Sequence, residues 1–369
     1  MLIGIDGNEA NISQRVGSNV YAFELIKAIE AMDKDNEYII YLREKKQPDL
    51  PKTRKKFAYR VISPKKLWTQ WRLPLDLYLH KPQPKVFFTP GHYAPRFSNI
   101  ASVISILDLS FLKYPQSFKS PVLRQLQSWT RRSAENASHI FTISNFSKQD
   151  IIEFYNIPAK KITVTYPGIN KRFNEKVGQR LLTRVLSKYQ LKNKYLLFLG
   201  TKQPKKNINR LIRAYAAISG DMKKTPDLVI AGKVWGQFAK ESKSENLPNG
   251  VREIGFVEDN DLPALMSGAQ AFFLPSLYEG FGIPVVEAMA AGTPVLTSNV
   301  SSLPEITSDA AILVSPENTN SLARGLKQIL SLSREKRVQL VKKGKNRARQ
   351  FTWEKCAKKT LEVLYEIAN

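Results

Sequence analysis

The sequence predicts an α/β protein made of two doubly wound domains, each with a parallel sheet. Short apolar runs alternate with amphipathic helical stretches along the whole chain, as in parallel sheets whose strands are joined by helices. The length of 369 residues is too great for one ordinary domain and suits two. The alternation is interrupted at Pro167 and Gly168 and then restarts, which marks a boundary between the domains.

The first domain is expected at residues 1–170. Its predicted strands are short runs rich in β-branched and aromatic residues, at residues 2–5, 38–41, 86–88, 103–106 and 139–143. Amphipathic stretches such as residues 20–32 separate these runs and are predicted helices.

The second domain is expected at residues 190–350, with strands predicted at residues 195–200, 228–232, 271–275 and 294–297. A final helix is predicted at residues 353–369, with Thr352 as its N-cap. The residues alone leave open which domain this helix packs on. Two doubly wound domains that face each other form a central cleft at the carboxyl ends of both sheets, where ligands bind.

Residue usage excludes several classes of protein. The single cysteine, Cys356, rules out a disulfide framework and fits a reducing compartment. Three scattered histidines, His80, His92 and His139, cannot build a metal cluster with it. The first predicted strand follows directly after Met1, and no apolar run is long enough to span a bilayer. We therefore expect a cytoplasmic protein.

The formal net charge of +25 is typical of proteins that bind nucleic acid or anionic membranes. In residues 65–72, lysine and arginine accompany Trp68 and Trp71, and this combination favours a membrane interface, where indole rings lie at headgroup depth. No helix–turn–helix, zinc-finger or RNA-binding signature accompanies the charge. A peripheral membrane protein and a solvated basic face both stay open, and nucleic-acid binding is the weakest of the three interpretations.

Residues 275–287 carry the most informative pattern in the chain. An apolar strand leads into a turn that contains Gly280 and Gly282, and a helix is predicted to begin at Pro284 and to stop at Gly292. The free amide groups at the start of a helix bind anions. The two glycines allow the backbone to approach a ligand closely or to adopt a positive φ.

Two carboxylates, Glu279 and Glu287, stand eight residues apart in this segment, one in the turn and one about a helical turn inside the helix. Carboxylates repel phosphate but accept hydrogen bonds from hydroxyl groups. A ligand with a diphosphate at its centre and sugar hydroxyls at both ends suits this arrangement. The pattern therefore predicts a site for a nucleotide sugar.

Glu279 and Glu287 also resemble the E-x7-E element of retaining glycosyltransferases of the GT-B fold, family four. Residues 255–265 resemble that family's base-binding segment, and residues 297–305 resemble its mannosyltransferase-like branch. The resemblance covers nearly all of the C-terminal half and patches of the N-terminal half. It implies the GT-B fold, a nucleotide-diphosphate sugar as co-substrate, no cofactor, and a last helix that crosses back onto the first domain.

The resemblance further implies roles for individual residues. Glu279 would bind hydroxyls of the transferred sugar and Glu287 the ribose, while Lys205, Lys206 and the amides of residues 280–282 would hold the diphosphate. The expected donor-binding residues are Gly17, Gly200, Lys205, Lys206, Val257, Glu279, Gly280, Phe281, Gly282, Ile283 and Glu287. The expected catalytic residues are Glu279, Lys206 and Asp108.

The chain departs from the family pattern at three positions. Lys205 replaces an arginine, which keeps the charge but loses the planar two-pronged contact. Asn19 stands where a second glycine usually follows Gly17. Leu107 replaces the histidine that usually precedes Asp108, and a leucine can neither donate nor accept a proton.

His92, at another predicted strand end, is a loop histidine that could take over the imidazole's role. Asp259 and Asp261 form a D-x-D pattern that holds metal in the other glycosyltransferase fold, but Asp261 is better interpreted as a helix N-cap. We therefore predict no metal requirement.

Together these observations predict a retaining hexosyltransferase that moves a sugar from a nucleotide-diphosphate donor to a glycan or lipid-linked acceptor at the cytoplasmic face of the membrane. The alternative is a catalytically silent, nucleotide-sugar-binding subunit of a glycosyltransferase complex, motivated by Leu107. An epimerase of the same fold would need an acid/base pair that the sequence does not offer. Nucleic acid is an unlikely partner in either case.

Overall fold

A computed structural model describes residues 1–192, 194–220, 225–232 and 247–369. The chain divides into two compact units. Unit 1 comprises Met1–Gly168 and Phe351–Asn369, and unit 2 comprises Ile169–Gln350.

Unit 1 contains a seven-stranded sheet in which every neighbouring pair of strands is parallel, in the order β3-β2-β1-β4-β5-β6-β7. Its strands are β1 (Leu2–Asp6), β2 (Glu37–Leu42), β3 (Phe57–Val61), β4 (Val86–Thr89), β5 (Ala101–Ser105), β6 (His139–Thr142) and β7 (Ile162–Val164). The central strands are almost wholly buried, because helices cover both faces of a parallel sheet.

The helices of this part of the chain are α1 (Ser18–Met32), α2 (Leu73–Leu79), α3 (Ser110–Lys113), α4 (Ser120–Asn136) and α5 (Asn145–Tyr155). A π-helical turn at Trp68–Arg72 leads into α2, and single 3₁₀ turns lie at Pro115–Ser117 and Ala159–Lys161. Helical segments lie in the crossovers from β1 to β2, β3 to β4, β5 to β6 and β6 to β7, whereas β2 and β3, and β4 and β5, are joined by loops without a helix.

Within the described ranges, unit 2 contains a six-stranded parallel sheet in the order β10-β9-β8-β11-β12-β13. Its strands are β8 (Leu196–Leu199), β9 (Leu228–Ala231), β10 (Val251–Gly255), β11 (Ala271–Leu274), β12 (Val295–Ser298) and β13 (Ile312–Val314). The order reverses between β8 and β11, so the loops after these two strands flank the switch point at which open α/β sheets bind ligands.

The helices of unit 2 are α6 (Gln179–Lys188), α7 (Ile208–Ser219), α8 (Leu262–Gly268), α9 (Ile283–Ala290), α10 (Leu303–Thr307), α11 (Thr319–Leu330) and α12 (Arg334–Ala348). Two 3₁₀ turns, Lys171–Asn174 and Pro204–Lys206, complete the regular structure of this unit in the described ranges.

The last helix, α13 (Trp353–Ala368), packs on α1 in unit 1. Thr352 caps it by accepting a hydrogen bond from the Lys355 amide, as the sequence predicts. The Tyr365 hydroxyl donates to Asp33 at the end of α1 over 2.6 Å. A Cβ at Gly168 would lie 2.1 Å from the Trp353 backbone nitrogen, so only glycine permits this approach.

The predicted α/β class with two doubly wound parallel-sheet domains is confirmed. The strands missing from the sequence prediction are β3, β7, β10 and β13, which are the outer strands of the two sheets. The expectation that Trp68 lies at a membrane interface is wrong, because its ring is buried and its Nε1–H donates to the Ile62 carbonyl over 3.2 Å. No helix in the part of the chain that the structure describes is long and apolar enough to cross a bilayer.

Candidate functional site

The loops that follow β8 and β11 meet at the switch point of unit 2. The loop after β8 carries Lys205 and Lys206, and the loop after β11 carries Glu279. The Leu277 amide donates to the Lys205 carbonyl over 2.7 Å, which ties the two loops together through their backbones. The structure thus brings together the basic pair and the first glutamate of the predicted donor site.

Lys206 and Glu279 form a largely buried ion pair at the centre of this site. The Lys206 Nζ lies 2.5 Å from the Glu279 Oε1, and the two side chains are only 13% and 10% exposed. The Ser276 hydroxyl donates to the same oxygen over 2.6 Å. A lysine ammonium has three donors, so Lys206 can hold a phosphate oxygen as well as Glu279.

The backbone of the Glu279 turn is held by the serines that precede α10. The Glu279 amide donates to the Ser301 hydroxyl over 3.1 Å, and the Ser302 hydroxyl donates to the Glu279 carbonyl over 2.9 Å. These contacts fix the turn on both sides of the carboxylate. No sequence pattern singled out either serine beyond their place in residues 297–305.

The turn ends where α9 begins. Gly282 is the N-cap of this helix and has φ +92°, a conformation that favours glycine, as the sequence suggests. Pro284 occupies the second helical residue rather than the predicted first. Gly292, with φ +80°, follows the end of the helix as predicted. Phe281 is buried beside the turn, and Ile283 is half-buried.

Glu287 lies inside α9 and is half-buried. Its carboxyl makes no hydrogen bond or ion pair with any described residue. Desolvation raises its pKa to about 8, while the Arg172 charge opposes this rise and Asp259 adds to it. The group is therefore mostly protonated at neutral pH and can both donate and accept hydrogen bonds, which suits a vicinal diol such as ribose.

Asn207 supports the basic loop, and the sequence analysis assigned it no role of its own. It adopts a left-handed conformation with φ +60° directly before α7. Its side-chain amide donates to the carbonyls of Pro275 and Pro316 over 3.0 and 2.7 Å. An asparagine between a basic pair and a helix is the signal that could have identified it.

Gly200 lies at the end of β8, where its carbonyl would be 1.9 Å from a Cβ at Gly232. Val257 is buried just beyond β10 and contributes an apolar wall near the carboxyl edge of the sheet. These two predicted donor residues thus lie at strand ends of the same sheet as Glu279.

Asp261 holds the N-cap position of α8, but its side chain does not cap the helix. Its carboxylate instead accepts hydrogen bonds from Lys188 and the Tyr189 hydroxyl, over 2.7 and 3.0 Å. The predicted capping role is therefore wrong, because the last residue of α6, Lys188, and the C-cap residue Tyr189 donate to the carboxylate instead. Among the described residues no cluster of three His, Cys, Asp or Glu side chains is placed to hold a metal ion.

In unit 1, Gly17 is the N-cap of α1 and has φ +53° and ψ −114°, outside the regions open to residues with a Cβ. A Cβ there would meet nothing within 4 Å, so backbone conformation rather than crowding requires this glycine. Asn19, at the place of the family's second glycine, donates to Glu9 Oε2 over 2.7 Å. Ser18 donates to the same oxygen over 3.1 Å.

Three polar side chains lie at equivalent places in unit 1. Glu9, His92 and Asp108 each lie three residues beyond the end of β1, β4 and β5, which are adjacent in the sheet. Asp108 accepts a hydrogen bond from the Ser110 amide over 2.9 Å. Leu107 beside it is buried.

His92 is half-buried, and its Nδ1 atom is buried without a hydrogen-bond partner in the described ranges. Desolvation lowers the pKa of His92, while the nearby Asp108 and Glu9 carboxylates oppose this effect. The imidazole is therefore neutral at pH 7 and available as a hydrogen-bond acceptor or donor. The sequence signal for it was its place after a predicted strand.

Comparison with known proteins bears on both units. Residues 16–173 match Glycosyltransferase Family 4, and residues 183–347 match Glycosyl transferases group 1. The O-antigen chain mannosyltransferase B of Escherichia coli is 32% identical over 313 residues, which cover 83% of this chain and 78% of that protein.

The chain belongs to glycosyltransferase family four.

A second relative is the O-antigen chain mannosyltransferase RfbU of Salmonella typhimurium. It is 27% identical over 271 residues, which cover 72% of the present chain and 70% of RfbU. Among solved structures, that of Anabaena Alr3699/HepE in complex with UDP-glucose is similar, with a TM-score of 0.75 and 18% identity over 99% of both chains. These similarities confirm the GT-B fold and the family predicted from the sequence.

Proposed function

We propose that this glycosyltransferase moves a mannosyl residue from a nucleotide-diphosphate sugar to a hydroxyl group of a glycan or lipid-linked acceptor, with retention of anomeric configuration. The observation that carries the proposal is the Lys206–Glu279 ion pair at the switch point of unit 2. The pair combines an ammonium group that can bind a phosphate with a carboxylate that can bind sugar hydroxyls. Both side chains are largely buried, and the Glu279 turn leads into the N-terminus of α9.

Donor binding follows from the polarity of this site. Lys205 and Lys206, with the amides of residues 280–282, would hold the diphosphate. Glu279 would bind hydroxyls of the transferred sugar, and the protonated Glu287 would bind the ribose diol. Gly17, Gly200, Val257 and Ile283 are proposed to shape the rest of the donor site.

The proposed chemistry needs no covalent nucleophile. The bond between the anomeric carbon and the diphosphate oxygen breaks, and the acceptor oxygen forms its bond on the same face. The acceptor's proton passes to an oxygen of the departing diphosphate. Lys206 and the helix amides stabilise the negative charge that develops on the leaving group, which is the part of the barrier that fixed dipoles and cations lower most.

The names of two relatives support the choice of sugar and acceptor. Both are O-antigen chain mannosyltransferases, which supports mannose as the donor sugar and a glycan chain as the acceptor. The UDP-glucose bound to the Anabaena protein supports a nucleotide-diphosphate sugar as the donor class.

The test is a transfer assay with GDP-mannose and UDP-glucose as donors and a bacterial lipid-linked glycan extract as acceptor, analysed by NMR. The proposal predicts transfer of mannose with the anomeric configuration of the donor. A product of inverted configuration would overturn the retaining mechanism, and glucose transfer alone would overturn the choice of sugar.

Leu107 favours one alternative, a silent subunit that binds nucleotide sugar and requires a catalytic partner. Tight donor binding without transfer or slow hydrolysis, even with acceptor extract present, would support that alternative. Metal independence is a further part of the proposal. Activity that is lost in EDTA and restored by Mn²⁺ would contradict it.

A further inference from the structure

The helix α2 and the π-helical turn before it present a row of exposed apolar side chains. Five of them are exposed over 42–68% of their surface: Leu67, Trp71, Leu75, Tyr78 and Leu79. Steps of three and four residues place the four from Trp71 to Leu79 along one side of the helical segment, and Leu67 precedes this segment as the N-cap of the π-helical turn. The opposite side, with Trp68, Leu73 and Leu77, is buried in a core cluster of unit 1.

A neighbouring loop extends this row. The ring of Phe97, itself exposed, lies 5.6 Å from that of Trp71 in an edge-on arrangement. The Arg96 amide donates to the Thr69 carbonyl over 3.1 Å and holds the loop against the turn. We call Phe97 and the five exposed residues of the row the α2 surface. It contains six of the fourteen large apolar side chains that are exposed in the described ranges.

The chain segment that contains the α2 surface is strongly basic, although Lys65 pairs with Glu44 over 2.7 Å. Residues 64–100 contain six lysines and arginines against one acidic residue. That residue, Asp76, is paired with Arg60 over 2.8 Å and with His80 over 3.0 Å. The six basic side chains are all exposed: Lys65, Lys66, Arg72, Lys81, Lys85 and Arg96.

We propose that the α2 surface docks on a bilayer of anionic phospholipid. The leucine side chains would enter the boundary between the headgroups and the acyl chains, and the Trp71 and Tyr78 rings would lie at headgroup depth. The exposed lysines and arginines of residues 64–100 would contact the phosphates. A protein partner fits less well, because lysine is depleted at protein interfaces. Single-stranded nucleic acid needs aromatic platforms, and half of this surface is aliphatic.

This inference rests on the proposed function only in giving the enzyme a lipid-linked acceptor to meet. Its test needs no sugar chemistry. Full-length protein is sedimented with vesicles of phosphatidylcholine alone and with vesicles that contain phosphatidylglycerol. We expect binding to the anionic vesicles, a much smaller bound fraction on the neutral ones, and weaker binding as salt is raised.

Two matched pairs of variants assign the binding to the α2 surface. Leu75→Gln/Leu79→Gln is compared with Val122→Gln/Val338→Gln, which removes exposed apolar side chains elsewhere. Lys66→Ser/Arg72→Ser is compared with Lys358→Ser/Lys359→Ser, two exposed lysines on α13. Each basic residue near the bilayer should contribute roughly fivefold to partitioning, so the first charge variant should lose on the order of 25-fold.

Donor binding, measured in parallel, shows that each variant is folded. The inference is overturned if both members of either pair bind anionic vesicles equally. It is also overturned if the parent protein ignores vesicles and instead forms dimers that Leu75→Gln/Leu79→Gln abolishes, since the surface would then join two copies. Sugar transfer that persists in solution while vesicle binding is lost would leave the proposed function intact.

Discussion

The carboxyl ends of the two sheets differ in how their polar side chains are held. In unit 2, Glu279 is fixed by Lys206, Ser276 and backbone contacts to two further serines. In unit 1, His92 has a buried ring nitrogen without a partner in the described ranges. On the proposed function, the preorganised site of unit 2 would hold the donor, whereas the less constrained His92 would meet the acceptor.

The largest effect is expected when the Lys206 ammonium group of unit 2 is removed. Lys206→Met should lower kcat/KM by about 10²–10³-fold, because it removes a charge that stabilises the leaving diphosphate. The matched control is Lys202→Met in the same loop, whose partner is the surface residue Glu253. Steady-state assays that show equal loss in both variants would contradict the role of Lys206.

Loss of Lys206 also leaves Glu279 buried without its partner, which should destabilise the fold by about 3 kcal/mol. The double variant Lys206→Met/Glu279→Gln removes both charges and should recover much of that stability without recovering transfer. Thermal unfolding and activity together therefore separate a structural role of the pair from a catalytic one.

The next largest effect is expected in unit 1. His92→Gln should lower transfer by about 10–100-fold and leave donor affinity unchanged, because we expect the imidazole to orient the acceptor hydroxyl. The control is His139→Gln on β6, where the ring bonds to Thr163 over 2.9 Å. Equal donor affinity with unimpaired transfer in His92→Gln would show that His92 has no part in the reaction.

Glu287 should make the stability of the fold depend on pH. Its pKa is raised to about 8, so the folded protein keeps a proton that the unfolded chain releases above its ordinary value of 4.5. The stabilising contribution is complete below pH 4.5 and is lost as pH rises through 8. Glu287→Gln should therefore stabilise the free protein at pH 9, by about 2 kcal/mol after allowance for partial exposure.

Chemical denaturation at pH 5 and pH 9 measures this effect. Little difference between parent and variant is expected at pH 5. A variant that is no more stable than the parent at pH 9 would show that the carboxyl is ionised without cost and would remove the argument for a protonated ribose ligand.

The smallest effect is expected at Asn19, which stands where the family usually has a second glycine after Gly17. Asn19→Gly removes the hydrogen bond to Glu9 and adds a glycine to the first turn of α1. Thermal unfolding should show a loss of about 1–2 kcal/mol, with transfer changed less than threefold. A large loss of transfer would instead assign Asn19 a direct part in substrate binding.

Local patterns in the sequence were sufficient to predict the buried central strands and the Glu279 turn. Central strands such as β8 and β11 are unbroken apolar runs, since both faces are covered. Outer strands were missed because many of their residues are half-buried or exposed, and β10 even carries the charged Arg252 and Glu253. The sequence also marked both partners of the Lys206–Glu279 pair, because each lies in a recognisable loop.

What the sequence could not give depends on contacts between distant residues. Asp261 lies at the N-cap position of α8, yet its carboxylate accepts hydrogen bonds from Tyr189 and Lys188, which are 72 and 73 residues away in the sequence. Trp68 and Trp71 lie three residues apart among similar residues in the sequence. The packing of the π-helical turn nevertheless buries Trp68 and leaves Trp71 exposed. The alignment of Glu9 with His92 and Asp108 follows from strand order, which no local pattern contains.

We propose that unit 2 binds a nucleotide sugar through the Lys206–Glu279 site without metal. Calorimetric titration of the full-length protein with GDP-mannose and UDP-glucose in EDTA, alongside Lys206→Met and Lys202→Met, measures this binding. We expect the parent and Lys202→Met to bind one donor with equal affinity and Lys206→Met to bind it at least about tenfold more weakly. Equal affinity in all three proteins, or no binding of either donor until a divalent metal is added, would contradict it.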